Sequence, residues 1–415
     1  MTSFEARWGL NTWLDWQLTQ HATAIELGLD RVGEVGRRLD ILKPAPVTIL
    51  VAGTNGKGSS TAWIRALWPQ TDHVGVFQSP HLWRYNERIT IDAEAASDAV
   101  ICQAFEAIEQ ARGDISLTYF EYSALSAMWC FKQARVDMAV LEVGLGGRLD
   151  ATNIVDADAS LITSIGLDHT QWLGDTREQI GREKAGVMRS NRPVVIADRH
   201  APSSLEERAD EVGANALMIG RDYNLEPVDG EWNLRVLGAE HRLPEPGIGV
   251  VPENFAGAAA LVAALHRPLA DEQLTTLLLS PPKLPGRCQI VDAEPQLVYD
   301  VGHNVEAAAV LVQQLLDTPV RGQTRVVIGM LKDKPVEGVG EWLRRVTDVF
   351  YPAGLSHRSP RGLSGPEVAQ RLGLDNRRSW STPEAAFTAA KSQSDYFDRI
   401  VVCGSFHTVT STLNE

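Results

Sequence analysis

A strand that runs directly into a glycine-rich turn constrains this chain more than any other segment. Residues 47–60 read VTILVAGTNGKGSS, in which an apolar, β-branched run ends at Gly53 and a helix-compatible stretch follows Gly58. A strand, a tight turn and a new helix in this order leave several backbone N–H groups without a partner. These groups and the positive helix end form a cradle for phosphate. The segment therefore predicts a nucleotide site, and an ordinary strand–helix turn is the alternative.

Lysine and hydroxyl side chains in this turn suit a nucleotide and its cation. Lys57 supplies a point charge for the outer phosphates, and Ser59 or Ser60 a hydroxyl near a bound cation. The match to the standard phosphate loop is imperfect. Val51 stands where that loop has its first glycine, and Gly58 separates the lysine from the hydroxyls.

Length and composition predict two domains and a reducing compartment. The chain has 415 residues, more than a single core usually reaches. A formal net charge of −14 argues against a nucleic-acid or membrane-surface partner. The four cysteines show no paired spacing, which favours a cytoplasmic protein without disulfides or a zinc site. No apolar run approaches the ~20 residues of a membrane helix, and we expect no signal peptide.

Short apolar runs alternate with helix-period segments along the first two thirds of the chain. Runs at 47–51, 73–77, 138–142, 160–164 and 193–197 are typical of strands buried on both faces. Helical crossovers between them, such as 97–112 and 119–135, predict an α/β fold with a doubly wound, mostly parallel sheet of the P-loop type. Residues 11–42 are expected to form two helices. An Asp-Gly turn at 229–230 predicts a small β insertion at about 215–250.

A proline-rich linker follows. Residues 281–286 read PPKLPG, which continues neither a helix nor a central strand. We therefore predict a first domain at 1–283 and a smaller, Rossmann-like α/β domain at 284–415. Strands of the second domain are expected at 296–300, 325–329, 348–351 and 399–403, with a helix at 306–316. Ligands of such sheets bind beyond the carboxyl ends of the strands.

Polar residues follow three strands of the first domain. Glu142 ends one strand and is a candidate magnesium ligand, with an ion pair to Arg148 as the alternative. His169 follows a second strand, although imidazole is an uncommon magnesium ligand. Ser79 follows a third and offers a hydroxyl to the same ion.

Lys184 poses an electrostatic problem. It lies in the segment GREKAG at 181–186, on a helix that is expected to follow a capping residue within Gly174-Asp175-Thr176. Three consecutive charged residues, such as 182–184 here, normally lie on the solvent-exposed face of a helix. The small residues on both sides of these three predict close packing instead. A buried lysine that faces cations would be destabilised by repulsion, so it should be neutral or chemically converted to an anion.

The second domain has its own polar residues beside a strand end. Asp300 could accept hydrogen bonds from a ribose or orient a nucleophile, and His303 and Asn304 could contact substrate. Arg287, just after the linker, could clamp a phosphate, with a plain surface arginine as the alternative. We interpret Cys288 as a small core residue rather than a nucleophile.

Several longer sequence blocks are distributed along nearly the whole chain. They are LKPAP (42–46), AGTNGKGS (52–59), SPHLWRYNERI (79–89), ISLTYFEY (115–122), LEVGLGGRLDATN (141–153), LDHTQWLG (167–174), GREKAG (181–186), LPGR (284–287), YDVGHN (299–304), IGMLKDK (328–334) and CGSFHTV (403–409). In this order they resemble the bifunctional dihydrofolate synthase/folylpolyglutamate synthase family of the Mur ligase superfamily. The TYFEY and GGRLDATN segments resemble the folate branch rather than the peptidoglycan ligases.

This resemblance implies an ATP-dependent amide ligase. ATP would convert a substrate carboxylate into an acyl phosphate, which the amino group of L-glutamate would then attack. In the family, dihydropteroate receives the first glutamate, and reduced folates receive more through the γ-carboxylate. The implied cofactors are ATP and one or two magnesium ions, and the family suggests a monomer. A folylpolyglutamate synthase without the first activity and a nucleotide-dependent ATPase switch remain alternatives.

The resemblance also assigns roles to residues by matched position. ATP would be held by Thr54, Asn55, Gly56, Lys57, Gly58, Ser59, Asn254, Arg287 and Asp300. Magnesium would be ligated by Ser79, Glu142 and His169. The catalytic residues would be Glu142, His169 and a carboxylated Lys184. The pteroate pocket would be formed by Ala24, Ile25, Glu26, Leu27, Thr118, Tyr119, Phe120, Glu121, Leu149, Asp150 and Ala151, with Tyr119 and Phe120 flanking the pterin ring. Candidate contacts for glutamate or substrate in the second domain are His303, Asn304, Ser405 and His407.

One segment departs from the family pattern. The family's Asp-Val-Ala-His-Asn-Pro is Asp-Val-Gly-His-Asn-Val here, with Gly302 and Val305. A glycine loosens the turn, and the missing proline removes a rigid helix start. This change affects the expected pose of His303 more than the expected activity.

Overall fold

The computed structural model describes residues 8–23, 25–291, 293–347 and 349–413. The chain divides into two compact units. The first comprises Met1–Pro246 and Pro252–Pro282, and the second comprises Gly247–Val251 and Lys283–Glu415. The chain thus enters the second unit within the proline-rich segment. The sequence had placed the short segment Gly247–Val251 with the first domain, whereas the structure groups it with the second unit.

A mostly parallel sheet lies at the centre of the first unit. Its strands are β1 (Val47–Ala52), β2 (Val74–Phe77), β3 (Ile89–Ile91), β4 (Glu94–Ala95), β5 (Met138–Glu142), β6 (Ala159–Ile162), β7 (Pro193–Ile196) and β8 (Asn215–Met218). They are arranged in the order β4-β3-β2-β5-β1-β6-β7-β8. Only β3 and β4 run antiparallel to their neighbours, as a hairpin at one edge. The doubly wound, mostly parallel fold is confirmed, and the predicted strands are present with ends shifted by one or two residues.

Helices cover both faces of this sheet. They are α1 (Leu10–Gln17), α2 (Asp30–Arg38), α3 (Lys57–Leu67), α4 (Asp98–Arg112), α5 (Tyr119–Ala134), α6 (Thr170–Leu173), α7 (Arg177–Lys184), α8 (Ser203–Val212), α9 (Pro252–Ala264) and α10 (Asp271–Leu279). Short 3₁₀ turns occupy Tyr85–Arg88, Ala151–Ile154 and Ala185–Val187. Capping boxes begin α5 at Thr118 and α7 at Thr176, where the side-chain oxygens accept backbone N–H groups of the first turn.

The packing of α9 brings a distant part of the chain back to α3. The sequence PENFAGAAALVAA is apolar on nearly all sides, and residues 254–262 are buried. Such a helix is stable only inside the protein. The rings of Trp63 on α3 and Phe255 on α9 meet edge to face, with centroids 5.0 Å apart. The start of α9 therefore packs against the middle of α3.

The predicted β insertion is a three-stranded antiparallel sheet, but it begins later than the predicted 215, because Asn215–Met218 form β8 of the large sheet. It consists of β9 (Tyr223–Val228), β10 (Glu231–Val236) and β11 (Ala239–Leu243). Asp229 and Gly230 turn between the first two strands with φ of 52° and 86°. A two-residue hairpin turn of this kind needs positive φ at both positions, which explains the Asp-Gly pair.

A second, smaller sheet forms the centre of the second unit. Its strands are β12 (Gln289–Val291), β13 (Gln296–Asp300), β14 (Thr324–Ile328), β15 (Val349–Pro352) and β16 (Arg399–Cys403). The order is β12-β13-β16-β14-β15, and only β12 is antiparallel. Its helices are α11 (Val305–Asp317), α12 (Val336–Leu343), α13 (Gly365–Arg371), α14 (Pro383–Ser392) and α15 (Phe406–Thr410). The predicted strands are confirmed, except that residue 348 lies outside the described residues. No helix in the described part of the chain is long and apolar enough to cross a membrane.

Candidate active site

The loop between β1 and α3 has the geometry of an anion cradle. Gly53 and Gly56 adopt φ of 143° and 89°, in the region that favours glycine. No side chain caps α3, and its first backbone hydrogen bond runs from the N–H of Ser60 to the carbonyl of Gly56 at 2.8 Å. The N–H groups before Ser60 therefore precede the helical ladder, which is where phosphate oxygens bind.

Close contacts at the two glycines fix this loop. A Cβ atom on Gly53 would lie 1.7 Å from Thr163 Oγ1, and one on Gly56 would lie 2.5 Å from Asn254 Oδ1. Glycine is therefore required at both positions for space as well as for backbone angle. Asn254 is 6% exposed, at the start of α9. The structure thus brings this predicted nucleotide residue against the phosphate loop from a distant part of the chain.

Hydrogen bonds tie the loop after β6 to the phosphate loop. The N–H of Thr54 donates to the carbonyl of Ser164 at 2.7 Å. Thr54 Oγ1 accepts the N–H of Gly166 at 3.0 Å and lies 3.2 Å from the carbonyl oxygen of Gly166. His169 follows three residues later, exposed and with a left-handed φ of 52°, before α6. The Thr54 hydroxyl therefore holds the loop that carries His169.

Glu142 faces the beginning of α3. Its carboxylate is 4% exposed at the end of β5, and a Cβ atom on Gly58 would lie 3.8 Å from Oε2. Arg148, the alternative partner of Glu142, pairs with Glu183: its Nη2 lies 2.8 Å from Glu183 Oε1. A carboxylate in this position is the kind of ligand that Mg²⁺ would take, since Mg²⁺ uses few protein carboxylates and keeps phosphate and water oxygens. Among the described residues, no group of three or more His, Cys, Asp and Glu could hold a metal ion.

Ser79 lies just beyond β2, next to β5 in the sheet. The register pairs Phe77 with Leu141, so the residues after Phe77 continue alongside Glu142. Gln78 Nε2 donates to the carbonyl of Gly58 at 3.1 Å. The predicted strand ends therefore meet at the edge of the sheet that carries the phosphate loop.

Lys184 is buried and its ammonium reaches the phosphate loop. It is 5% exposed, and Nζ donates to the carbonyl of Gly53 at 2.8 Å. Burial and, to a smaller extent, repulsion by Lys57 lower the pKa of Lys184 to about 7, although Asp168 and Asp150 act in the opposite direction. Lys57 Nζ also donates to Gly53, at 3.1 Å, so two ammonium groups share one carbonyl. The predicted conflict between burial and charge at Lys184 is therefore present.

Small residues around Lys184 explain how it is buried. A Cβ atom on Gly186 would lie 2.3 Å from Arg148 Cα, and one on Gly147 would lie 2.8 Å from the carbonyl oxygen of Lys184. A Cβ atom on Gly181 would similarly meet Ser204. The close packing predicted from the GREKAG segment is confirmed, and it joins α7 to the loop after β5.

The three segments predicted to bind pteroate (25–27, 118–121 and 149–151, the pteroate segments) lie side by side. The N–H of Gly28 donates to the carbonyl of Leu149 at 3.3 Å, which joins the first segment to the third. Arg31 joins the first to the second, because its Nε lies 2.9 Å from Glu26 Oε1 and its Nη2 lies 3.1 Å from Glu121 Oε1. Ala24 belongs to the same prediction but lies outside the described residues.

Within the pteroate segments, Asp150 already has a structural task. Its carboxylate is 2% exposed and accepts the N–H of Leu145 at 2.8 Å, the N–H of Thr152 at 3.0 Å and the hydroxyl of Thr152 at 2.7 Å. Burial raises the pKa of Asp150, and these donors lower it in part. Asp150 therefore holds the turn that presents Leu149 and Ala151.

The two aromatic residues at the start of α5 contact different neighbours. Phe120 packs on Gly144, where a Cβ atom would lie 2.3 Å from its ring, and its centroid is 6.0 Å from that of Phe77. Tyr119 instead meets Tyr85 edge to face, with centroids 5.9 Å apart. Both rings lie at the pteroate segments, and their placement around one pterin ring stays a prediction.

In the second unit, Asp300 is held by backbone donors. It accepts the N–H of Cys288 at 2.8 Å and the N–H of Gly302 at 2.6 Å. Burial raises the pKa of Asp300, which the charge of Arg287 opposes. The guanidinium of Arg287 lies over the ring of Phe406, 5.6 Å from its centroid. Burial also raises the pKa of Cys288 to about 12, which agrees with a core thiol rather than a nucleophile.

The loops after β13 and β16 lie together. The N–H of Gly404 donates to the carbonyl of Gly302 at 3.1 Å, which places the predicted residues His303 and Asn304 near Ser405 and His407. Asn304 and Ser405 are buried and cap α11 and α15. Burial and two arginines lower the pKa of His407.

The departure from the family pattern has a local explanation at one position. Val305 begins α11 and takes the space beside Gly338, where a Cβ atom would lie 2.8 Å from Val305 Cγ2. His303 Nδ1 lies 3.0 Å from the carbonyl oxygen of Val301, so Nδ1 carries a proton and donates to that carbonyl.

The sequence matches known families over most of its length. Residues 51–235 match the Mur ligase middle domain, and residues 286–406 match the Mur ligase glutamate ligase domain. A relative from Escherichia coli named dihydrofolate synthase/folylpolyglutamate synthase is 43% identical over 407 residues, which cover 97% of this chain and 94% of the relative. The chain belongs to the dihydrofolate synthase/folylpolyglutamate synthase family. A relative of the same name from Haemophilus influenzae is 38% identical and covers 96% of each chain.

Solved structures of this family have the same fold. A structure described as E. coli FolC in complex with DHPP and ADP matches with a TM-score of 0.93 at 42% identity, over 99% of this chain and 98% of that one. A bifunctional folylpolyglutamate synthase/dihydrofolate synthase with Mn, AMPPNP and L-glutamate bound matches with a TM-score of 0.91 at 43% identity, over 98% of each chain. The predicted family and fold are therefore confirmed.

The sequence-based prediction assigned no role to three polar residues near the carboxyl end of β2. Gln78, His81 and Arg88 lie in or beside the family block at 79–89, from which only Ser79 was assigned a role. Burial and the charge of Arg88 lower the pKa of His81 to about 4. The available signal was an arginine placed directly before the apolar residue Ile89, which begins β3 and is buried, because a cation is unexpected there.

Proposed function

We propose that this protein joins L-glutamate to dihydropteroate to give dihydrofolate, and adds further glutamates to the γ-carboxylate of reduced folates, with ATP as the energy source. The observation that carries the proposal is that the phosphate loop and the pteroate segments lie at one edge of one sheet. Lys184 connects them, since its ammonium contacts Gly53 and its backbone packs on Gly147. A site of this kind can hold a triphosphate and an acid substrate in reach of one another.

The chemistry requires activation of a carboxylate, which is a poor electrophile. Transfer of the terminal phosphoryl group of ATP to that carboxylate gives an acyl phosphate, and the amine of glutamate then displaces phosphate. The residues 54–59 would hold the phosphates of ATP, with Asn254 against the same loop. This arrangement contributes mainly position and charge neutralisation.

Glu142, with Ser79 and His169, would hold magnesium at the start of α3. An ion held by these residues would supply positive charge beside the phosphates of ATP. We further propose that Lys184 is carboxylated. Its pKa of about 7 leaves a large neutral fraction at physiological pH, and a neutral amine is the form that reacts with CO₂. Carboxylation would replace a repelled cation by an anion that attracts the metal.

The proposed tasks of the second unit are binding of nucleotide and glutamate. Arg287 and Asp300 would contact the nucleotide, and His303, Asn304, Ser405 and His407 are candidates for glutamate and substrate contacts. This proposal rests on matched positions and on the proximity of the loops after β13 and β16. We expect a cytoplasmic monomer that needs neither nucleic acid nor a membrane.

The decisive experiment is incorporation of labelled glutamate by the purified protein with ATP and magnesium. We expect incorporation with dihydropteroate and with tetrahydrofolate as separate acceptors. Incorporation with tetrahydrofolate alone would reduce the activity to folylpolyglutamate synthesis.

Parallel measurement of ADP release distinguishes a ligase from an ATPase switch. A ligase should release ADP in step with product and only slowly when either acceptor or glutamate is omitted. ADP release at an equal rate without both substrates would refute the ligase proposal.

A further inference from the structure

Arg88 is a buried cation that forms no ion pair with any carboxylate in the part of the chain that the structure describes. It precedes β3 at the edge of the first sheet and is 8% exposed. Across the described residues, no carboxylate forms an ion pair with Arg88, and its only side-chain hydrogen bond is the one from Nε to His81 Nδ1 at 2.8 Å. Desolvating a guanidinium without an anion is costly, so buried arginines are normally paired. Its terminal nitrogens remain available to an anion.

His81 and two tyrosines fix the orientation of this guanidinium. Because arginine is always a donor, His81 must accept at Nδ1 and carry its proton at Nε2. The guanidinium carbon of Arg88 lies 5.4 Å from the ring centroid of Tyr85 and 5.3 Å from that of Tyr119. Tyr85 in turn donates to Ser123 Oγ at 2.9 Å. The guanidinium of Arg88 is therefore held in place before any ligand binds, which lowers the conformational entropy lost on binding.

The position of Arg88 points to the acid substrate rather than to ATP. The carbonyl of Arg88 accepts the N–H of Gln78 at 2.9 Å, so Arg88 lies at the carboxyl end of β2 beside the loop of Ser79. Its other neighbour, Tyr119, belongs to the pteroate segments. The phosphate loop has its own cation in Lys57 and its own helix start. A guanidinium next to an aromatic face matches an aromatic carboxylate in shape and in charge.

We propose that Arg88 binds the carboxylate of the pteroyl substrate through its terminal nitrogens and orients it for phosphorylation. This inference rests on the proposed function. Arg88 would be a binding residue for the acid substrate, and His81 a positioning residue that acts through Arg88. The same chemistry could serve the carboxylates of glutamate or a phosphate of ATP, and the experiment separates these ligands.

The test compares two ligands that differ only in charge. Dissociation constants of dihydropteroate and of its neutral carboxamide are measured by ligand fluorescence, without ATP, for the wild type and for Arg88→Met. We expect the wild type to prefer the carboxylate by about 10- to 100-fold, as for a charge-assisted hydrogen-bonded pair. In Arg88→Met that preference should fall towards one, while the carboxamide binds as before.

Two further variants serve as controls. Arg88→Lys keeps the positive charge but loses the planar guanidinium with its two terminal nitrogens. This variant should keep only part of the preference for the carboxylate over the carboxamide. Arg84→Met removes an exposed cation from the same segment and should leave the preference unchanged. Unchanged binding of the carboxamide shows in each variant that the pocket is still folded.

Several outcomes would overturn the inference. One is that Arg88→Met prefers the carboxylate as strongly as the wild type does. Another is that Arg88→Met loses affinity equally for the carboxylate and the carboxamide. A third is that the variant raises the KM for ATP or glutamate and leaves the KM for dihydropteroate unchanged. The proposed function fails separately, if the wild type binds no dihydropteroate and forms no dihydrofolate.

Discussion

Replacing Lys184 by methionine should stabilise the protein at neutral and mildly acidic pH. Methionine keeps an unbranched apolar stem but carries no charge. In the folded protein, burial and Lys57 lower the pKa of Lys184 from 10.5 to about 7, so the folded state holds this proton less tightly than the unfolded chain does. At about 1.4 kcal/mol per pH unit, this difference amounts to at most about 5 kcal/mol of destabilisation.

The pH dependence follows from the two proton affinities. Below pH 7 both states carry the proton, and the wild type bears the whole penalty. Between pH 7 and 10.5 only the unfolded chain carries it, so the wild-type contribution to stability rises by about 1.4 kcal/mol per pH unit. The lost hydrogen bond to Gly53 costs the variant about 1 kcal/mol. We therefore expect a gain for Lys184→Met of about 4 kcal/mol at pH 6 and about 1 kcal/mol at pH 9.

The assay is urea unfolding at pH 6, 7, 8 and 9, followed by tryptophan fluorescence. Buffers are depleted of CO₂ and contain no nucleotide, so the lysine is unmodified. The quantity compared is the difference in unfolding free energy between variant and wild type, in which all other titrating groups cancel. Lys391→Met removes an exposed ammonium and should give a difference that does not change with pH. An equal difference at pH 6 and pH 9 for Lys184→Met, or a less stable variant at pH 6, would refute the reasoning.

Three further predictions concern activity. Glu142→Gln keeps the shape of the side chain and removes its charge, so formation of the acyl phosphate, trapped with hydroxylamine, should fall by about 100-fold; near-normal formation at ordinary magnesium contradicts the assignment. Gly56→Ala should raise the KM for ATP, because its Cβ would lie 2.5 Å from Asn254 Oδ1, whereas Gly238→Ala has the same type of backbone and open space and should leave the KM unchanged. Lys184→Ala should lose ligation and regain part of it with added formate or acetate; full activity without the additive would exclude a carbamate.

The sequence was a reliable guide wherever the signal is carried by neighbours in the chain. The strands β1, β5 and β13 were predicted to within one residue, since an apolar run and its bounding turn residues are local. β12 was missed because three residues provide too little pattern. The capping residue of α7 was predicted for the same local reason.

Charge and burial at single residues were harder to predict. The glycines around Lys184 allowed its burial to be inferred, because small residues mark close packing. Asp150 was assigned to substrate, and the structure shows that its carboxylate also holds its own turn. The sequence did not show that Arg88 forms no ion pair within the described residues, because an ion pair depends on which side chains the fold brings near the guanidinium.

The sequence alone determined that there are two α/β domains, that a phosphate loop lies at 53–59 and which family the chain belongs to. Each of these depends on consecutive residues or on sequence blocks in a fixed order. Only the tertiary structure decided that Asn254 meets Gly56, that the ammonium of Lys184 reaches Gly53 and that Arg88 lies beside Tyr119 without an ion pair to any described carboxylate. These contacts join residues that are far apart in the chain, and they form only when the burial of apolar faces brings separate helices and strand ends together.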